Sequence, residues 1–193
     1  AVGLQVQERQ DQVKNSPKYL LFVGRLDEVK RIPYLLDIFS EFRKLNKDYT
    51  LKIIGGDGGD LASVLKKLEA LSLEDYVELG GVKFGDELKD LYSAASALVL
   101  TSRSEGNPTV VREALSLRTP VIASDVGDVA KVSLSNSSVR VVPLDASPRE
   151  FAEAINENIQ LHVSKEEYEK YRMRFSEDGI FAGLIKMYEE YLR

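Results

Sequence analysis

Short apolar runs alternate with segments of helical periodicity along this chain, and this alternation restricts the folds that it can adopt. The runs that predict strands lie at residues 19–23, 51–54, 76–79, 97–100, 121–123 and 139–142. Between them, apolar residues recur three and four positions apart, which is typical of amphipathic helices. Examples are Leu35, Ile38 and Phe42 in one helix and, predicted on one face of the next, Leu61, Val64, Leu65, Leu68 and Leu71. Strands that alternate with helices form a parallel sheet covered on both faces. We predict a Rossmann-like α/β domain with about six parallel strands and helices on both faces.

The predicted domain occupies residues 18–193, and the polar segment 1–17 precedes it as a linker or lead-in. Helices are predicted near its C-terminal end at 148–160, 165–174 and 177–192. The 193 residues are enough for one domain of ordinary size and too few for two full ones. The chain begins with Ala and not Met, so we expect a fragment or a processed product.

The composition excludes several kinds of site. The chain has no cysteine, which rules out disulfides, thiolate zinc sites and cysteine nucleophiles and fits a cytoplasmic location. Its single histidine, His162, rules out the familiar multi-histidine metal sites. A net charge of −5 gives no electrostatic reason to expect nucleic acid as a partner. No apolar run reaches the roughly 18 residues that a membrane-spanning helix needs.

The turn after the first predicted strand carries two cations. Gly24 ends the strand, and Arg25 and Lys30 follow in the loop that leads into the next helix. A guanidinium offers a planar fork to two phosphate oxygens and an ammonium acts as a point charge, so this pair can hold a diphosphate. The alternative is an ion-paired surface loop, because Asp27 and Glu28 lie close by in the sequence.

The turn after the fourth predicted strand leads into a helix whose start carries clear signals. Asn107 is a good N-cap residue, and Pro108 suits the first helical position. The amides of Thr109 and Val110 would then face an anion, helped by the helix dipole. Gly106 lets the backbone come close to a ligand. A ligand site is predicted at this helix start.

Two glutamates lie close to this helix start. Glu105 precedes the helix, and Glu113 lies between one and two turns inside it. A carboxylate can accept hydrogen bonds from both hydroxyls of a vicinal diol, which riboses and hexoses carry. Alternatively, Glu113 is a solvated helix residue and Glu105 assists the cap. A retaining glycosidase pair is disfavoured, because it needs carboxyls roughly 5 Å apart and eight residues of helix span about 12 Å.

A glycine cluster, Gly55-Gly56-Asp57-Gly58-Gly59, follows the second predicted strand. It matches a dinucleotide fingerprint only in part, because Leu61 stands where a third glycine is required and the cluster does not follow the first strand. We reject the NAD interpretation. We predict tight turns at which the backbone of Gly56, like that of Gly24, approaches a ligand.

Together these segments resemble the donor-binding domain of the retaining GT-B glycosyltransferases of the family-four type, the group 1 glycosyl transferases. The resemblance runs from about Tyr19 to the C-terminus. Its markers are the turns Val23-Gly24-Arg25-Leu26…Lys30 and Ile54-Gly55-Gly56-Asp57-Gly58, and the segments Glu105-Gly106-x-Pro108…Glu113-Ala114 and Thr119 to Gly127. The resemblance implies one half of a GT-B fold, with an acceptor-binding domain missing before residue 1.

The resemblance also implies roles for individual residues. Arg25 and Lys30 correspond to the pair that holds the donor diphosphate. Glu105 corresponds to the glutamate that orients the transferred sugar, and Glu113 to the one that holds the ribose hydroxyls. The amides at the helix start, including that of Asn107, would face sugar or phosphate. No metal or other cofactor is implied.

Three positions depart from the family pattern. Arg31 replaces a frequent glycine after the lysine, and Arg118 stands where glycine is usual before Thr119. Asp128 stands where a second glycine often follows Gly127. We expect the two arginines to tune loop shape, and Asp128, close to the predicted site, to weaken or redirect donor binding.

The hypothesis from sequence is a domain that binds a nucleoside-diphosphate sugar, such as a UDP- or GDP-sugar, for retaining transfer to a glycan, lipid or other hydroxyl acceptor. It is expected to be inactive without its acceptor domain. We expect the enzyme in the cytoplasm and also consider peripheral association of the full-length enzyme with the inner face of the cytoplasmic membrane. Two alternatives stay open: a nucleotide-sugar epimerase or hydrolase of the same architecture, and a non-catalytic nucleotide-sugar-binding module.

Overall fold

The computed structural model describes residues 17–159, in which a parallel sheet is flanked by helices. Within this range the elements follow in the order β1 (Lys18–Val23), α1 (Ile32–Leu45), β2 (Tyr49–Ile54), α2 (Leu61–Leu71), β3 (Val77–Gly81), α3 (Gly85–Ala94), β4 (Ala97–Leu100), α4 (Thr109–Ser116), β5 (Val121–Ser124), α5 (Val129–Ser133), β6 (Val139–Val142) and α6 (Pro148–Asn158). A 3-10 helix, Glu28–Lys30, precedes α1. Most of the predicted lead-in, 1–17, and the helices predicted at 165–174 and 177–192 lie outside the described residues.

The strands lie in the order β3-β2-β1-β4-β5-β6, and each neighbouring pair is parallel. β1 pairs with β2 along its whole length and with β4 at Leu20 and Leu21. The strand order reverses between β1 and β4, which is the topological switch point where ligands bind in Rossmann-like sheets. The predicted fold, a Rossmann-like sheet of six parallel strands, is confirmed.

Helices cover both faces of the sheet because successive side chains of a strand point to opposite sides. On one face, Leu20 and Phe22 of β1 pack with α1, α2 and α6. On the other face, Tyr19 and Leu21 pack with α3, α4 and α5. β4 and β5 are buried throughout their length, which explains why their sequences are continuously apolar.

The apolar face of α2 is narrower than predicted. Val64 and Leu68 are buried, but Leu65, which we expected on the same face, is 50% exposed. α2 leads from β2 to the edge strand β3, and on its face of the sheet its helical neighbour is α1. Within residues 17–159, α2 thus has a strong helical contact on one side only and less apolar surface to bury.

Two helices also differ from expectation, one in where it starts and one because it was not predicted. Pro108, in extended conformation, occupies the N-cap of α4 and makes no side-chain cap bond, so the prediction of Asn107 as the N-cap is wrong by one residue. Thr109 is the first helical residue. α5 was not predicted, because its five residues are too few to show a helical period.

The loops after β1 and β2 lie directly against each other. Gly24 N donates to Ile54 O and Leu26 N donates to Gly56 O, both at 2.9 Å. A Cβ added at Gly55 would lie 1.8 Å from Gly24 O, which is far closer than two non-bonded atoms can approach. Glycine at position 55 is required by this approach, and the approach holds the β1 loop against the end of the sheet.

Gly55→Ala should destabilise the protein by about 3 kcal/mol, because the backbone must shift to relieve the clash. The matched control is Gly85→Ala: φ is 58° there, but an added Cβ meets no atom of residues 17–159 within 4 Å. Only the backbone cost remains at Gly85, about 1 kcal/mol. Equilibrium urea unfolding measures both variants, and equal losses would contradict the close approach.

Candidate functional site

Lys30 is held at the carboxyl edge of the sheet by contacts along its backbone and its stem. Asp27, the N-cap of the 3-10 helix, accepts a hydrogen bond from Lys30 N at 3.2 Å. Thr101, just after β4, donates from Oγ1 to Lys30 O at 2.8 Å. The side chain passes Gly24, where an added Cβ would lie 3.5 Å from Lys30 Cε. Lys30 is thereby led across the end of β1 toward β4.

Glu105 receives the ammonium of Lys30. Lys30 Nζ donates to Glu105 Oε1, and the fully buried Ser102 donates to the same oxygen from Oγ at 2.6 Å. The two charged side chains are only 20% and 15% exposed, so water weakens their attraction less than at an open surface. Loops from two different strands therefore meet at one carboxylate oxygen.

Arg25 lies in the same loop but outside this contact. Its side chain is 79% exposed, and its guanidinium pairs with Asp27 Oδ2 at 3.3 Å. Glu28, the other acid of the loop, pairs with Arg103 at 3.8 Å. The alternative interpretation, an ion-paired residue of a surface loop, therefore applies to Arg25 in this structure. Lys30 instead contacts Glu105.

The segment before α4 is pressed against the turn after β5. Gly127 has a φ of 57°, and a Cβ there would lie 2.6 Å from Gly106 O and 3.0 Å from Glu105 O. A Cβ at Gly106 would meet no atom of the described residues within 4 Å, so this part of the structure leaves open space beside it. The first N–H groups of a helix lack intrahelical acceptors. α4 thus presents those of Thr109 and Val110 at the edge of the sheet where Glu105 lies.

Glu113 lies on the exposed side of α4 and is held by a buried tyrosine of α3. Tyr92 donates from its hydroxyl to Glu113 Oε2 at 2.8 Å. Thr119 Oγ1 in turn donates to Tyr92 O at 2.6 Å. Burial, and then the bond to Glu113, raise the pKa of the Tyr92 phenol far above its ordinary value. The phenol therefore stays protonated and keeps one oxygen of Glu113 occupied.

Reasoning from sequence missed three residues of this arrangement, which are Thr101, Ser102 and Tyr92. Thr101 and Ser102 directly follow the apolar strand β4 and are both fully buried. Buried hydroxyl groups need hydrogen-bond partners, so polar residues at the carboxyl end of a buried strand are the signal that could have revealed them. Tyr92 offered no separate signal, because it belongs to the apolar side of α3.

The positions that depart from the family pattern have distinct surroundings. Arg31 and Arg118, where glycine is frequent, have left-handed backbones with φ of 52° and 63°. Glycine adopts this conformation freely, whereas another residue strains by roughly 1–2 kcal/mol. Asp128 pairs with Arg112 of α4 at 2.5 Å, so a cation partly neutralises its charge beside the Gly127 turn. Its predicted effect on donor binding stays a prediction.

Three further observations concern the described part of the chain. Between residues 17 and 159, no three acidic or histidine side chains cluster so as to hold a metal ion. None of the helices in that range has the length and apolarity to cross a membrane. A cavity of about 320 Å³ lies beside β6 and α6, lined by residues that include Arg140, Asp145 and Glu150, and it shares no residue with the Lys30–Glu105 pair.

Comparison with known families gives a match over most of the chain. Residues 5–179 match the family described as Glycosyl transferases group 1. The chain belongs to this family. The resemblance inferred from the glycine turns and the paired glutamates is confirmed, and glycosyl transfer is the reaction class of the family.

The following relatives are longer than this chain. The alpha-D-kanosaminyltransferase of Streptomyces kanamyceticus is 29% identical over 136 residues, which are 70% of this chain and 35% of that enzyme. Sucrose-phosphate synthase of Thermosynechococcus elongatus has a TM-score of 0.77 at 23% identity, over 96% of this chain and 49% of the other. HepE of Anabaena, in complex with UDP-glucose, has a TM-score of 0.76 at 18% identity, over 95% and 51%. These structures establish the fold, and the chain spans about half of each.

Stability should fall above pH 10 because of Tyr92. The unfolded chain loses the phenol proton near the ordinary pKa of 10.0, while the fold retains it because its pKa is raised. The difference in unfolding free energy between the wild type and Tyr92→Phe should shrink by up to about 1.4 kcal/mol per pH unit above that value. Urea unfolding at several alkaline pH values measures it.

Tyr19 does not confuse this measurement. Burial raises the pKa of Tyr19 to about 12, but that residue is present in both proteins and its contribution cancels in the difference. A difference that does not change with pH would show that the Tyr92 phenol ionises alike in the folded and unfolded chains.

Proposed function

We propose that this chain is the donor-binding domain of a retaining glycosyltransferase and that a nucleoside-diphosphate sugar binds across the carboxyl ends of β1 and β4. The observation that carries the proposal is the meeting of Lys30 and Glu105, from two loops, at the topological switch point. Membership of the group 1 glycosyl transferases supports sugar transfer as the reaction.

Lys30 can bind the diphosphate without leaving Glu105. An ammonium has three N–H donors, and the contact with Glu105 uses one of them. The others are available to phosphate oxygens. Arg25 can exchange its exposed pair with Asp27 for the diphosphate, since pairs this exposed contribute only about 0–1 kcal/mol. Its planar fork would then grip two oxygens.

These groups suit the charge that develops during sugar transfer. Departure of the diphosphate builds negative charge on its oxygens, and Lys30, Arg25 and the amides at the start of α4 stabilise that charge more in the transition state than before it. Glu105 holds the sugar in place while the anomeric carbon of the sugar becomes cation-like. We propose that the acceptor attacks on the face that the diphosphate leaves, so that configuration is retained. Since these cations supply the charge, the proposal requires no metal.

Glu113 is proposed to bind the ribose. Tyr92 occupies Oε2, so the carboxylate is oriented and Oε1 can accept from a ribose hydroxyl. The other proposed donor contacts come from the backbone of the loops around this edge: Gly24, Gly56, Gly106, Asn107, Thr109 and Val110.

The rest of the enzyme is also part of the proposal. A second domain would bind the acceptor, since the chain spans only 35% of the kanosaminyltransferase and 51% of HepE, and this domain alone would be inactive. HepE is described with UDP-glucose, so UDP-sugars are the first donors to test, followed by GDP-sugars. A cytoplasmic enzyme, with peripheral attachment to the inner face of the membrane, completes the proposal.

Nucleoside diphosphates should raise the melting temperature of the protein. A ligand at ten times its Kd adds about 1.4 kcal/mol, which corresponds to roughly 3–6 °C for a protein of this size. UDP, GDP and ADP at millimolar concentration are compared by differential scanning fluorimetry. The double variant Arg25→Ala/Lys30→Ala should abolish the shift, because both phosphate-binding cations are lost.

The matched control for this variant is Lys66→Ala, which removes an exposed lysine of α2 and should retain the full shift. If the wild type shows no shift with any of the three diphosphates, the donor site is not where we place it. Free sugar or an epimer formed without acceptor would instead indicate an epimerase or hydrolase. Donor binding without transfer by the full-length protein would indicate a binding module.

Glu113→Gln should weaken the binding of a ribonucleoside diphosphate by roughly tenfold or more, the usual range for a hydrogen bond to a charged group. The 2′,3′-dideoxy analogue should bind wild type and variant alike, because it lacks the hydroxyls that Glu113 would hold. Isothermal titration calorimetry gives the four affinities. Glu69→Gln, on the exposed side of α2, is the control. If Glu113→Gln weakened the binding of both ligands equally, Glu113 would not be the residue that holds the ribose hydroxyls.

A further inference from the structure

Arg31 follows Lys30 directly and ties it to the ends of three other strands. Arg31 Nε donates to Thr101 O, just after β4, at 2.7 Å. One Nη donates to Ser124 Oγ at the end of β5, and the other to Leu144 O after β6, each at 3.3 Å. One side chain thus connects the β1 loop with the carboxyl ends of β4, β5 and β6.

The link between Arg31 and Thr101 runs in both directions. Arg31 Nε donates to Thr101 O, and Thr101 Oγ1 donates to Lys30 O at 2.8 Å. Thr101 is fully buried, so its position is set by the core. The peptide unit between Lys30 and Arg31 is therefore held against the end of β4, which also carries the loop of Glu105.

Arg31 keeps this place in a strained backbone conformation. Its φ of 52° and ψ of 47° are left-handed, a conformation that glycine adopts without strain. The guanidinium lies 4.3 Å from the ring centre of Tyr34, and the Tyr34 hydroxyl donates to Ala146 O at 2.5 Å. A strained residue persists where its contacts offset the strain. The contacts of the Arg31 guanidinium are those that offset the strain of its left-handed backbone.

We propose that Arg31 is a positioning residue that holds Lys30 where its ammonium meets the donor diphosphate. The inference rests on the proposed function of the Lys30 site. Arg31 acts through the backbone of Lys30 and the loop ends after β4, β5 and β6, without touching the donor.

Arg31→Gly tests this role because it removes the side chain and the backbone strain together. Among UDP, GDP and ADP, the diphosphate that binds the wild type most tightly is titrated by calorimetry. The variant should bind it roughly tenfold more weakly, as expected for coupling through direct contact. Arg118→Gly is the matched control, since it replaces another left-handed arginine. Arg118 precedes β5, at the amino ends of the strands, and this variant should bind as the wild type does.

A double-mutant cycle with Lys30→Ala separates positioning from a general structural effect. In the wild-type background Lys30→Ala should weaken binding, and in the Arg31→Gly background it should cause little further loss, because Lys30 is already misplaced. Losses that multiply independently would overturn the proposal. Such a result would mean that Arg31 acts on binding by another route.

Thr101→Val keeps the test decisive if Arg31→Gly folds poorly. It has nearly the same shape and removes only the hydroxyl that holds Lys30 O, so binding should weaken severalfold in the same direction. Provided that the wild type binds, unchanged binding in Arg31→Gly overturns this inference alone. If Arg31→Gly does not fold, unchanged binding in Thr101→Val overturns it. Absence of binding by the wild type would overturn the proposed function as well.

Discussion

The position of β1 at the centre of the sheet decides where each loop of the site lies. Parallel strands end at the same edge of a sheet, so the loop after β1 meets the loop after β2 on one side and the loop after β4 on the other. On the first side, Gly55 packs onto Gly24 with no room for a Cβ. On the second side, Lys30 meets Glu105. Strand pairing therefore decides which loops meet at the site, and so which charged side chains come together there.

Buried hydroxyl groups hold the residues of the site in defined positions. A hydroxyl removed from water needs a partner, and in this chain the partners are the groups of the site. Thr101 holds the backbone of Lys30, Ser102 holds Glu105, and Tyr92 holds Glu113. Lys30, Glu105 and Glu113 are thereby each held, through backbone or side chain, by a buried residue, whereas Arg25 is exposed.

Arg31 shows how a chain can depart from a family pattern and keep its site. The left-handed backbone there favours glycine, and an arginine is tolerated where its guanidinium gains contacts with three strand ends. Asp128, the third departure, is accompanied by a cationic partner in Arg112. In both cases the substituted residue has contacts that a glycine could not make.

The local sequence pattern was sufficient to predict the succession of strands and helices along the chain, the parallel sheet and the strand ends that carry the polar loops. The reason is that the spacing of apolar residues and the presence of turn residues are signals that extend over only a few positions. The local pattern was insufficient for the exposure of Leu65 and for the short helix α5. The partners within the site came only from the fold. Lys30 and Glu105 are 75 residues apart, and no spacing rule relates them. They meet because β1 pairs with β4, and that pairing is set by how the whole core packs.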